Sequence, residues 1–449
     1  MSLLIHNVTI FTNDAINTVI QNGAVAIDGH RIAAIGAEDD LKERFSHYEQ
    51  LDGQGRLLMP GFCNDHMHFY GTYARGLALT KPMNNFHEIL QHLWWALDKV
   101  LDLDAVYYSA ALPAILSIRK GVTSVIDHHA SPNAIDGSLD RIQDALELVG
   151  MRGILCYEVS DRDGKEICTA GFAENERYIQ KCQQAKSTDP DFMFDGMIGL
   201  HASFTLDDDS LEQAAVLCER LERGVHVHML EDKVDETLTQ EKYGRGVVDR
   251  LHHFGLLGKK SITAHGIFVD EIGLDLLKQS ETIVVHQAQS NMNNAVGRAD
   301  VFKLLQNGVM VGLGTDGMTP DIRRETMTGY LMHKHHLADN NVGWAEFETM
   351  LMKNNPAIYQ RLSGQSVGQI VVGNFADVIL LDYFPPTPIT HENTWGHFLF
   401  GIVDAPVNTT IINGKIIMHD KVIDGIDEAK IAADSRACAE QVWARFHGK

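Results

Sequence analysis

At 449 residues, 45% hydrophobic and 22% charged, the chain has the composition of an ordinary globular protein, with room for two or three domains or one large barrel with appendages. Acidic residues outnumber basic ones 60 to 38, and the formal charge of −22 speaks against nucleic-acid and membrane partners and for a small neutral or cationic substrate. No stretch approaches the roughly 18 uninterrupted apolar residues of a membrane helix. MSLLIHNVTIF has neither a basic n-region nor a small-residue cleavage site, so a cytoplasmic location is expected.

Residues 1–57 read as β-structure: LLIHNVTIF, AVAIDGHRIAAIG and LDGQGRLLMPG, with Gly and Asn-Asp turns between apolar alternations. IVVGNFADVILLDYF and VNTTIINGKIIMHDKVI repeat that character at the far end. The expectation is a small β-sandwich domain built from both termini, residues 1–57 plus 366–449, with a C-terminal helix. Between them the rhythm becomes short strand, then helical stretch. Eight candidate strands follow in order: 57–68, 122–130, 152–159, 193–202, 225–231, 261–266, 282–290 and 310–317. SLEQAAVLCERLERG and GLDLLKQSE carry helix-period apolar residues between them. Eight β-then-α repeats over 58–365 predict an α/β fold, a (β/α)8 TIM barrel. A doubly wound open sheet is the alternative, but no Gly-rich phosphate fingerprint follows any strand. The six cysteines form no C-x-x-C pair and read as reduced thiols.

The strand ends carry the chemistry. Seven of the eight end in a potential ligand or acid/base: His66 and His68, His128 and His129, His201, His228 with Glu231, His265, His286, and Asp316; the eighth ends near Glu158. A single histidine at a strand end is more often a hydrogen-bonded structural residue, so the signal is the pattern and not any one ring. His226, two before His228, is expected deeper, in packing or hydrogen bonding. His87, His92, His252, His253, His333, His335 and His336 fall on helical stretches or loops, where a solvated role is expected. Trp94 and Trp95 fit either the wall of an aromatic-substrate site or a helix anchor.

Imidazoles plus a carboxylate with a position left for water make a competent catalytic zinc site, whose bound water has a pKa near about 7. A carboxylate that is not a ligand must then move protons, and Glu231, three residues past His228, is the best placed. No G-x-S-x-G elbow is present.

The chain resembles the amidohydrolase superfamily, in its cytosine, adenosine and guanine deaminase-like branch. The matching features are PGFCNDHMH, the histidine of GLHASFT, HVHMLE, TAHG, HQAQSN and GLGTDG, with GNFADVILLD similar to that family's returning strand. LWWALD, VIDHHASP and SNMNNAVG carry a finer resemblance to one aminohydrolase group of that branch. The resemblance implies His66, His68, His228 and Asp316 as metal ligands and Glu231 as proton shuttle. His265 and Asp316 would steady the attacking oxygen, and His201, with Trp95 and Asn291, would meet the substrate. His128 and His129 join the substrate set, because a similar Asp-His pair occurs in oxidised-purine and pterin deaminases. The fourth strand, MFDGMIGLHA, lacks the bridging lysine of binuclear relatives, which implies one divalent metal, zinc, with iron the alternative.

The expected reaction is hydrolytic deamination of an aminated nitrogen heterocycle, purine, pterin or pyrimidine-like, by metal-bound hydroxide. Hydrolysis of a ring amide or a carbon–halogen bond is the alternative, and a non-catalytic binding module a third reading. Phe204 to Leu206 and Met292 to Ala295 depart from the better-known deaminases where substrate is held, which leaves substrate identity open. Family habit also implies a homodimer or larger homo-oligomer, without an interface signature in the sequence.

Overall fold

A computed structural model describes residues 2–448. One mixed sheet takes strands from both ends of the chain. From the first 60 residues come β1 (Ser2–Phe11), β2 (Val19–Asp28), β3 (Arg31–Ala37) and β4 (Glu49–Pro60). From the far end come β14 (Val378–Leu381), β15 (Val407–Ile412), β16 (Lys415–His419) and β17 (Val422–Ile423). The order is β17-β16-β15-β14-β4-β1-β2-β3, with β1 and β4 parallel and the other neighbours antiparallel.

Period-2 alternation decides what each face of this sheet does. Leu58, Val378 and Leu380 pack with Leu3, Ile5 and Ile27 into the sheet's own apolar cluster. Their neighbours Leu57, Met59, Ile379 and Leu381 turn the other way, into the large core shared with the middle of the chain. Arg152 clamps the two parts together: its buried guanidinium donates to both Asp377 oxygens at 2.7 and 3.2 Å and to Asn413 Oδ1 at 2.8 Å.

The middle of the chain forms two parallel arcs. The first runs β5 (Phe62–Met67), β6 (Val122–His129), β7 (Arg152–Tyr157) and β8 (Phe194–Gly196). The second runs β9 (Ile198–Ala202), β10 (Val225–Met229), β11 (Ile262–His265), β12 (Ile283–His286) and β13 (Val311–Leu313). The arcs touch at both edges. Val159 bridges Leu200, with His201 N donating to Val159 O at 2.9 Å, and Met67 bridges Asp316, with Thr315 N donating to His66 O at 2.9 Å.

Two expected strands divide. The stretch 57–68 breaks at Gly61, its first four residues completing β4 and the rest forming β5. A Cβ on Gly61 would stand 2.3 Å from the Thr123 side chain, so the turn between sheet and arc needs glycine. The stretch 193–202 breaks at Met197 into β8 and β9, one in each arc.

Inside the arcs the same alternation sorts residues. Cys63, Ile126, Ile154, Cys156, Ile262, Ile283 and Val285 face one enclosed cluster. Phe62, Val125, Leu155, Val225, Val227 and Val284 face the outer core under the helices. The expected C-terminal helix spans Glu428–Phe446 and is anchored by Trp443 Nε1 donating to Tyr73 O at 2.8 Å. All six cysteines are unpaired. Among the described residues no single helix is long and apolar enough to cross a membrane.

Candidate active site

The inward phase of each strand carries its polar residue to one place. On β6, Ile126 faces inward and so does His128; on β7, Ile154 and Cys156 are followed in phase by Glu158; on β10, His226 and His228 alternate with the outward Val225 and Val227. His66, His201, His265 and Asp316 arrive from β5, β9, β11 and the turn after β13. Leu230, His265 and Asp316 have φ of 55°, 77° and 53°, the left-handed region that side-chain-bearing residues avoid at a cost of about 1–3 kcal/mol each. Three such residues at one end of the arcs mark where backbone comfort yields to side-chain aim.

The rings are aimed by their outer nitrogens. His68 Nδ1 donates to His128 O at 2.5 Å and His228 Nδ1 to His201 O at 2.9 Å, so both Nε2 atoms point to the centre, 3.1 Å apart. His66 Nδ1 meets His226 Nε2 at 2.8 Å, and His66 Nε2 is buried without a hydrogen-bond partner. Asp316 Oδ1 lies 3.0 Å from His68 Nε2 and 3.5 Å from His66 Nε2, and its Oδ2 3.9 Å from His265 Nε2. Burial pushes the His66 imidazole down to about 4, whereas at His68 burial is outweighed by Asp316, which lifts that ring to about 9. A divalent ion at the centre would take the place of the His68 Nε2 proton that Asp316 favours, and inward Nε2 atoms beside one carboxylate are a donor set that fits it.

Two overlapping quartets have donor atoms within 4.8 Å of one another: His66, His228, His265 and Asp316, and His68, His128, Glu158 and His228. The ligand set implied by sequence draws on both, and His265 stands near enough to be a further donor.

Glu231 sits beside this centre. Its Oε2 lies 3.3 Å from His265 Nε2, Asn294 Nδ2 donates to its Oε1 at 3.2 Å, and its backbone N–H donates to Asp235 Oδ2 at 2.8 Å. Burial and then the Asp316 charge push the Glu231 carboxyl well above the usual range. A cavity of about 700 Å³, its mouth included, reaches His68, His201, His228, Glu231 and Asp316 from outside. Aromatic residues Tyr70, Phe86, Trp94, Trp95 and Phe204 wall it.

Of the residues expected to meet substrate, Trp95 and His201 line the cavity, with Trp95 Nε1 3.5 Å from His201 Nε2. The others do not. Asn291 lies behind His265, whose Nδ1 donates to Asn291 Oδ1 at 2.8 Å. His128 faces inward but is stacked on His226, ring centroids 4.6 Å apart, and orients His68 through its carbonyl. His129, one residue on, faces outward and pairs with Ser131 Oγ at 2.9 Å. His226 has the deeper hydrogen-bonding place expected of it. His333 is buried against His286, Nε2 to Nε2 3.2 Å, and not solvated, because its helix packs that face on β12.

Sequence reasoning missed Phe86 and Asp235, placed Asn294 in the substrate-holding stretch without its contact to Glu231, and left Glu158 without a role. Glu158 alone had a signal: it closes the one strand that lacked a terminal histidine or aspartate.

Residues 57–417 match the amidohydrolase family. The chain belongs to that family. Membership makes it a hydrolase acting on carbon–nitrogen bonds. Residues 23–45 also match the imidazolonepropionase-like composite domain of bacteria, within the sheet built from the termini. A 5'-deoxyadenosine deaminase of Methanosarcina acetivorans is 29% identical over 447 residues, 99% of each chain. A 5-methylthioadenosine/S-adenosylhomocysteine deaminase of Pelotomaculum thermopropionicum is 27% identical over 441 residues, 97% of each. In fold, the amidohydrolase is similar to an adenosine deaminase of Xanthomonas campestris with bound zinc, with a TM-score of 0.83 at 22% identity over 98% of both chains.

Proposed function

We propose that this amidohydrolase is a deaminase that replaces the amine of a purine, pterin or pyrimidine-like ring with oxygen, releasing ammonia, with one zinc ion held by His66, His68, His228 and Asp316. We place the centre at the mouth of a closed (β/α)8 barrel, residues 58–365, with a β-sandwich domain from residues 1–57 and 366–449. A cytoplasmic location and a homodimer or larger assembly belong to the same proposal. One observation carries the reading: five imidazoles and Asp316 converge beside Glu231, which belongs to neither donor quartet, at the floor of an aromatic cavity. The deaminase relatives, aligned along nearly their whole length, support it.

A divalent ion supplies Lewis acidity that makes water nucleophilic near neutral pH. The chain does the rest. His265, its Nδ1–H fixed on Asn291, offers Nε2 as an acceptor that orients the attacking water. Glu231, its carboxyl raised and its Oε1 held by Asn294, carries the two protons of the attacking water in turn, one to the ring nitrogen next to the reacting carbon and the other to the departing amine. Trp95 and Phe204 flank the ring and exclude solvent.

Elemental analysis joined to an ammonia-release screen over purines, pterins and pyrimidines tests this. Near one zinc per chain and ammonia from at least one class is the expected result. Iron in its place changes the ion and leaves the reaction; a fully metallated protein that frees ammonia from none of them overturns it.

A further inference from the structure

The mechanism leaves the buried carboxylate of Glu158 without a task. Glu158 lines the cavity, and its Oε2 is buried with no hydrogen-bond partner. His128 Nδ1 stands 3.4 Å from Oε2, and His201 Nε2 3.7 Å from Oε1, too far for a hydrogen bond. A buried carboxylate in that condition costs free energy unless something else supplies donors.

The protonation of His201 can be read from its neighbours. Thr205 Oγ1 gives its single proton to Ala202 O at 3.0 Å, so its contact with His201 Nδ1 at 2.7 Å has the ring N–H as donor. His201 Nε2 is therefore an acceptor, and Trp95 Nε1–H points at it from 3.5 Å. Two acceptors thus stand 3.7 Å apart at the cavity wall, between the planes of Trp95 and Phe204. The carboxylates lining the cavity are Glu158, Glu231, Asp235 and Asp316, and among the described residues no lysine or arginine lines it.

A second metal ion does not explain Glu158. It shares a quartet with His68, His128 and His228, but His68 and His228 each have only Nε2 to offer, since Nδ1 donates to a carbonyl. An ion that uses both leaves His128 and Glu158 alone, two donors where a closed site takes four.

We propose that Glu158 and His201 form a paired-acceptor subsite for two N–H donors on the substrate edge away from the leaving amine, so that the substrate is a diaminated or amidine-type heterocycle without an anionic substituent. This rests on the deaminase reading only for which amine leaves. An analogue lacking the donors would leave Glu158 unpaired in a buried wall and His201 Nε2 with only the long 3.5 Å contact from Trp95 Nε1–H, the situation in which binding sites discriminate most strongly.

The test uses 2,4-diaminopyrimidine, whose N1-protonated form presents N1–H and a 2-amino N–H side by side, and 4-aminopyrimidine, on zinc-loaded wild type and Glu158→Gln, with calorimetric binding and ammonia release measured separately. Wild type is expected to favour the diamino compound by about 10²- to 10⁴-fold, and Glu158→Gln, with unchanged metal content, to bring the ratio under about tenfold. A 5-carboxylate on the diamino ring is expected to abolish binding. A wild type without the preference, a variant that keeps it, or a preparation with two ions of which Glu158→Gln loses one overturns the subsite. The wild-type ratio decides alone if the variant does not fold. Preferential binding of the diamino compound leaves the subsite standing even where the wider screen over purines, pterins and pyrimidines frees no ammonia and the deaminase reading falls.

Discussion

The floor and the wall of the cavity are built by different means. On the floor, His66, His68, His228 and Asp316 close or follow strands, and each ring is held by a carbonyl or another histidine behind it. The wall comes from elsewhere: Phe86, Leu90, Trp94 and Trp95 from the helical segment 86–98, Phe204 from the turn after β9, and Asn293 and Asn294 from the end of the short helix Ala288–Asn293 that follows β12. A floor fixed by sheet hydrogen bonds sets what reaction is possible. A wall assembled from turns sets which ring enters, and it can change without disturbing the floor.

If that division is right, floor substitutions act on metal and turnover and wall substitutions on binding. His66→Ala is expected to have the largest effect: metal content falling to a trace and activity vanishing, read by elemental analysis with circular dichroism as the check on folding. Full metal content in this variant would remove His66 from the ligand set. Glu231→Gln is expected to keep the metal and lower kcat about 10²- to 10⁴-fold, since it removes the proton carrier and nothing else. Turnover within about tenfold of wild type would take that role from Glu231.

His226 tests the layer under the floor. Its Nε2 is the partner of His66 Nδ1, and its ring is sandwiched against His128. His226→Ala is expected to weaken metal affinity about 10- to 100-fold, measured by chelator competition, without removing a ligand. On the wall, Trp95→Ala is expected to raise KM about tenfold with kcat little changed, because stacking at about 0.5–1.5 kcal/mol is lost along with buried ring area. An effect on kcat alone would move Trp95 from the wall to the floor.

The same division explains what could be read from the sequence. The H-x-H of PGFCNDHMH, HVHMLE and GLGTDG are legible because strand periodicity ties spacing to facing: residues two apart on β10 must share a side. Phe86 is not, since nothing local says that a segment 86–98, bent into a π-turn at Leu90–Trp94, folds over residues more than a hundred positions away. Met197 and Gly61 show the limit within strands. A run of apolar residues looks continuous whether it feeds one sheet or passes between two.

His128 and His129 give the smallest and most local test, because they differ by a single step along one strand. The sequence treats them as a pair; alternation separates them. His128 is inward, against His226 and 4.9 Å by ring centroid from His228, whereas His129 is outward, 6.0 Å from Tyr70 and 6.2 Å from Tyr157. Truncating His129 takes nothing from the cavity, and Ser131 Oγ keeps its bond to Ala134 O at 2.9 Å. His129→Ala is therefore expected to leave metal content and substrate preference as they are and to lower stability by about 2 kcal/mol for the cavity it opens, read by thermal unfolding. A changed substrate ranking in His129→Ala with an unchanged one in His128→Ala would reverse the facing of β6, and with it the assignment of every residue placed on the floor by phase.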